Sequence, residues 1–79
     1  MSVENHLRLA MLETALRHLL KNRKKSPERT ARNMEELLQR FEQHHPAMQG
    51  MFPDYQELLS IILSSPDEEC IGQILCRIK

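Results

Sequence analysis

Four prolines, at positions 27, 46, 53 and 66, cut this chain into segments that can each hold one helix of ordinary length. A proline lacks the backbone N–H and clashes with the preceding turn, so it belongs in a helix's first turn or beyond its end. Two of the four occur in the same local pattern, Ser26-Pro27-Glu28 and Ser65-Pro66-Asp67. In each, the serine hydroxyl can accept from a first-turn amide, the proline fills a position with no donor to lose, and the acid meets the positive pole of the helix dipole. His45-Pro46 closes the segment before it, because the residue preceding a proline is pushed out of helical geometry. The pattern predicts an all-α fold, a compact bundle or orthogonal array of four short amphipathic helices at about 3–22, 27–44, 54–64 and 66–78, in a single domain.

Periodicity assigns the faces. In the first segment, capped by Ser2, Leu9, Leu12, Leu16, Leu19 and Leu20 share one arc of a helix and form a core stripe. Val3, Leu7, Ala10, Met11 and Ala15 form a second stripe elsewhere on the same cylinder, more apolar surface than one buried face requires. The second segment is the cleanest amphipath, with Thr30, Ala31, Met34, Leu37, Leu38 and Phe41 on one side. Its other side carries Glu28, Arg32, Glu36 and Arg40 at i,i+4 spacing. The third spreads Tyr55, Leu58, Leu59, Ile61, Ile62 and Leu63 so widely that deep burial is expected, and the fourth presents Cys70, Ile71, Ile74, Leu75 and Ile78. Between the second and third lies a loop holding Met48, Met51 and Phe52. Loops are usually polar, so these three are expected to cover an end of the bundle or to meet a partner.

The formal net charge is zero, yet the charges are segregated. Residues 14–34 hold seven basic side chains (Arg17, Lys21, Arg23, Lys24, Lys25, Arg29, Arg32) against the single acid Glu28, a surplus of six that the rest of the chain balances. A separation of this kind makes an electrostatic dipole able to steer association with an oppositely charged surface. The composition, 41% hydrophobic and 28% charged, excludes a disordered polyelectrolyte, while 4% aromatics and two glycines disfavour a sheet. Residues 2–25 carry charges throughout, so no signal peptide is expected, and no apolar run reaches the roughly 20 residues of a membrane span. Two cysteines, Cys70 near a buried face and Cys76 exposed, are no disulfide framework, which points to a reducing, cytoplasmic setting.

Chemistry is hard to assemble from these residues. His44 and His45 are adjacent and diverge by about 100° on a helix, and His6 and His18 have no ligand partner at i+3 or i+4, so no metal site is expected. Neither cysteine is accompanied by a glycine-rich elbow or an oxyanion-forming turn, and Ser2, Ser26 and Ser65 serve as caps. Glu35-Glu36 and Glu68-Glu69 are neighbours on solvated faces. No catalytic residue and no cofactor are therefore expected. The basic run Lys21 to Arg32 suits phosphate contacts, which makes nucleic-acid binding the alternative function, although no aromatic lies in it to stack a base. The leading expectation is a non-enzymatic interaction or regulatory protein that docks on another protein or forms a homodimer. Its apolar contact falls on Val3, Leu7, Ala10 and Met11, its steering charge on Lys21, Arg23, Lys24 and Lys25, and its loop contact on Met48, Met51 and Phe52.

Overall fold

A computed structural model describes the backbone over residues 3–78 and the side chains over residues 7–77. Four helices follow in order: α1 (Val3–Leu20), α2 (Pro27–His44), α3 (Tyr55–Ser64) and α4 (Asp67–Leu75), with short 3-10 turns at Pro46–Met48 and Cys76–Ile78. Among the described residues there is no strand, and the chain is an all-α bundle. The capping role expected of Ser2 and the side chains of Val3, His6 and Ile78 lie outside the described residues.

Local chemistry sets each boundary. The Ser26 hydroxyl accepts from the Arg29 amide at 3.3 Å, and Pro27 opens α2 as expected. Asp54 stands one position before α3 and accepts from the Glu57 amide at 2.9 Å, so it caps the helix rather than beginning it. α4 ends at Leu75, three residues short of the expected 78, and a 3-10 turn carries the chain on to Ile78; three further places depart from the sequence pattern. α1 stops at Leu20, not Asn22, because the chain tightens into i→i−3 bonds, Asn22 N to Leu19 O and Arg23 N to Leu20 O, that swing Arg23 sideways. Ser65 does not cap α4: its hydroxyl accepts from Gln73 Nε2 at 3.1 Å, and Pro66 precedes the helix with no side-chain cap. The loop after α2 is partly ordered, turning through Pro46–Met48 and then through Gly50, whose φ of 80° is the left-handed region that glycine tolerates.

The helices form two hairpins. α3 packs on α2, α4 packs on α1, and α1 with α2 and α3 with α4 complete the bundle. Its core joins Leu12, Leu16 and Leu20 of α1 to Ala31, Met34 and Leu38 of α2, to Leu58, Ile61 and Ile62 of α3, and to Cys70, Ile71 and Ile74 of α4. Burial is narrower on α3 than its wide apolar arc suggests, since Leu63 is 67% exposed. That arc exceeds what one neighbour on each side can cover. Among the described residues, the i,i+4 charges along the outside of α2 do not close into ion pairs with one another. Instead Arg32 stands 5.8 Å from the centre of the Tyr55 ring and Glu35 Oε2 accepts from the Tyr55 amide at 2.9 Å, which ties α2 to the start of α3.

Helix length is what positions the rest. α1 and α2 have 18 residues each, whereas α3 has 10 and α4 has 9. At about 1.5 Å per residue the first hairpin is about 27 Å long and the second about half of that. The short hairpin covers Leu12 to Leu20 of α1 and Thr30 to Leu38 of α2, where the buried residues lie. Leu16→Ala should therefore lower stability by about 2–5 kcal/mol, as large-to-small changes in a closed core do. Leu63→Ser should change it by less than about 0.5 kcal/mol, as a surface change does. Urea unfolding followed by circular dichroism checks both, and equal losses would contradict the placement of Leu63 outside the core.

Candidate functional site

The side of α1 and α2 turned away from α3 and α4 forms one face, which continues past the short hairpin to the first turns of α1 and the last of α2. Leu12, Leu16 and Leu20 recur every four residues and turn inward, so Leu7, Met11, Thr14 and His18, on the opposite side of the helix, turn outward. Leu7 is 61% and Met11 71% exposed. With Ala10, Ala15 and Leu19 they make one wall of a furrow of about 710 Å³ whose other wall is Asn33, Glu36, Leu37 and Arg40 of α2. A second hollow of about 540 Å³ continues it along Met11, Leu37 and Arg40 to Phe41, His44, His45 and Arg8.

Aromatic rings gather at the far end. Phe41 meets the His45 ring edge-to-face at 4.3 Å between centroids and Phe52 at 5.9 Å, both near perpendicular. Arg8 Nη1 lies 3.4 Å from His45 Nε2, linking the start of α1 to the end of α2. Thr14 donates its hydroxyl proton to the Ala10 carbonyl at 2.9 Å, so the furrow floor offers apolar surface and little else.

The residues singled out in the sequence separate into three places. Leu7, Ala10 and Met11 come together on the furrow wall, while Val3 belongs to the same helix but its side chain is outside the described residues. Lys21, Lys24 and Lys25 are exposed on the α1–α2 turn, 14 or more residues further along the chain than Leu7. On a helix 14 residues span roughly 21 Å. Phe52 packs against Phe41 at the rim of the core, Met48 is half-buried, and Met51 is exposed. The α2 wall, Leu37, Arg40 and Phe41, was not singled out, because on a helical wheel Leu37 and Phe41 fall at the edge of the core arc.

Arg23 differs from the neighbouring lysines. It reaches the α3–α4 corner and donates from Nη1 to the Ser65 carbonyl at 2.7 Å while pairing with Asp67 at 3.1 Å. The Cys70 thiol sits in the same corner, 3.7 Å from Arg23 Nη1 and 3.4 Å from the carbonyls of Ile61 and Ser65. Burial pushes that thiol up from its ordinary value, with Arg23 acting in the opposite sense. Cys70 is thus fully enclosed rather than at the edge of the buried face, and Cys76 is exposed. Among the described residues no three His, Cys, Asp or Glu side chains gather in a way that could hold a metal ion, and no helix is long and apolar enough to cross a membrane.

Arg17, six residues earlier, makes a similar contact, donating to Glu13 at 3.1 Å and to Glu68 Oε2 at 2.9 Å. Part of the basic surplus is consequently engaged by the acidic first turn of α4. No family model matches this chain, and no curated protein and no solved structure matches it. The furrow's own chemistry is apolar side chains bordered by one acid, Glu36, and one base, Arg40.

Hydrogen bonding to Arg17 holds the Glu68 carboxylate below its usual range. A carboxylate with a depressed folded value contributes stability above its unfolded value and loses it as the pH falls through the folded one. The gap in urea midpoint between the natural chain and Glu68→Gln should therefore be open at neutral pH and close in acid. A gap independent of pH would show that Glu68 acts through something other than its charge.

Proposed function

We propose that this chain is a small non-enzymatic docking protein, an adaptor or regulator that seats the apolar face of a partner in the furrow between α1 and α2. The observation that carries the proposal is the exposure of Leu7 and Met11, two large apolar side chains one turn apart on a helix whose opposite stripe already fills the core. Covering each would contribute about 1.5–3 kcal/mol, enough for a few such contacts to support a stable complex. Methionine adapts its shape to irregular surfaces, which suits a docking face better than a rigid β-branched residue would. Met51, exposed on the loop, adds a further apolar contact at the edge of the bundle.

Lys21, Lys24 and Lys25 supply positive charge at the opposite end of α1, where they raise the rate of encounter with an acidic partner more than they hold it. Two unpaired thiols agree with a reducing, cytoplasmic setting. In sedimentation and pull-down experiments with the full chain, Leu7→Asp and Met11→Asp should each reduce association at least about tenfold, the size of about one lost apolar contact. Their melting temperatures should stay within about 3 °C of the natural chain, as befits surface positions. Association unchanged by either substitution would show that the furrow is not the docking face.

A further inference from the structure

Glu36 and Arg40, both on α2, are the carboxylate and the guanidinium on the walls of the larger hollow. They are exposed, four residues apart on one side of the helix, and among the described residues neither closes an ion pair. Their sum is zero, so the pair selects neither an acidic nor a basic partner. It carries a direction instead, with the acid toward the start of α2 and the base toward its end. A two-fold contact between identical chains has to be self-complementary, the surface at i meeting j while j meets i. Two α2 helices laid antiparallel satisfy this demand, because Glu36 of each copy then faces Arg40 of the other.

The apolar wall has the same symmetry. Ala15 of α1 and Leu37 of α2 line both hollows, which sets them at about one level along the hairpin. Met11 and Leu19 lie four residues to either side of Ala15, and Glu36 and Arg40 lie to either side of Leu37. One two-fold axis at that level, perpendicular to the helices, therefore pairs the charges and brings Met11 of each copy toward Leu19 of the other. Ala15 stands at the axis, where a longer side chain would meet its own copy. We propose that the occupant of the furrow is a second copy of this chain, docked face to face with α1 antiparallel to α1 and α2 antiparallel to α2. This rests on the docking reading above and names the partner as the chain itself. The two long hairpins then make a four-helix bundle whose centre is filled by the side chains of both furrows.

Sedimentation equilibrium of the full chain should show a dimer that dissociates on dilution. Glu36→Arg and Arg40→Glu each leave the contact between the α2 helices with charges of one sign, and each should weaken the dimer at least about tenfold. The variant carrying both changes restores the alternation in reverse order and should dimerise within about threefold of the natural chain. An equimolar mixture of the two single variants should associate more tightly than either variant alone. Met11→Asp should leave the chain monomeric with its helical circular dichroism unchanged. A natural chain that stays monomeric up to about 1 mM, the range of the weakest specific contacts, would overturn the second copy and leave the furrow open to a different partner. A dimer that Met11→Asp dissociates but both charge reversals leave intact would overturn the antiparallel arrangement while keeping the docking face. A dimer indifferent to Met11→Asp would overturn both.

Discussion

Everything distinctive about this molecule depends on a mismatch of length: two helices of 18 residues are packed against two of 10 and 9. A bundle buries only what its shorter members can reach. The core is therefore confined to the half of α1 ending at Leu20 and the half of α2 beginning at Pro27, where Leu16, Leu20, Ala31 and Met34 are sealed. The remaining half of the long hairpin keeps its helical shape without a covering layer. The inward stripe of α1 ends there, while the outward stripe of Leu7 and Met11, continued by Thr14 and His18, faces away from the short hairpin along the whole of α1, so the two helix walls form a furrow from Leu7 to Leu19.

The short hairpin is held in register by charge as well as by packing. Arg17 and Arg23, one at the end of α1 and one just beyond it, reach Glu68 and Asp67 in the first turn of α4. Arg23 goes further, since it also supplies a charged donor to the Ser65 carbonyl at the corner between α3 and α4. A guanidinium suits this role because its fixed fork can serve a carboxylate and a carbonyl together. The second corner contact, from Arg77 to Glu57, returns the end of the described chain to α3. Charge segregation along the sequence thus has a structural use, and the lysines of the turn are what it leaves over.

Much of this was legible in the residues. Prolines and caps located four helices to within three residues at every end, because a missing donor at Pro27 and an acceptor at Ser26 or Asp54 are strictly local properties. Ser65 shows where local reasoning stops. Its Ser-Pro-acid pattern matches that of Ser26, yet the structure turns its hydroxyl to Gln73 and its carbonyl to Arg23, 42 positions away. The furrow was half legible for a related reason. The second stripe on α1 stood out because one helix cannot need two apolar faces, whereas Leu37 and Phe41 blend into the core arc of α2. A helical wheel records angle and says nothing of how far along the helix a neighbour extends.

The central claim is that Met11 lies on bare apolar surface while Met34 lies in the core of the same small bundle. Mild peroxide oxidation of the isolated chain, with each methionine followed by peptide mass spectrometry, measures that difference directly, because sulfoxide formation follows exposure. At concentrations too low for the chain to self-associate, Met11 and Met51 should oxidise first, Met48 more slowly and Met34 only as the protein unfolds. Protection of Met11 comparable to that of Met34 in that dilute limit would contradict an open furrow on the single chain.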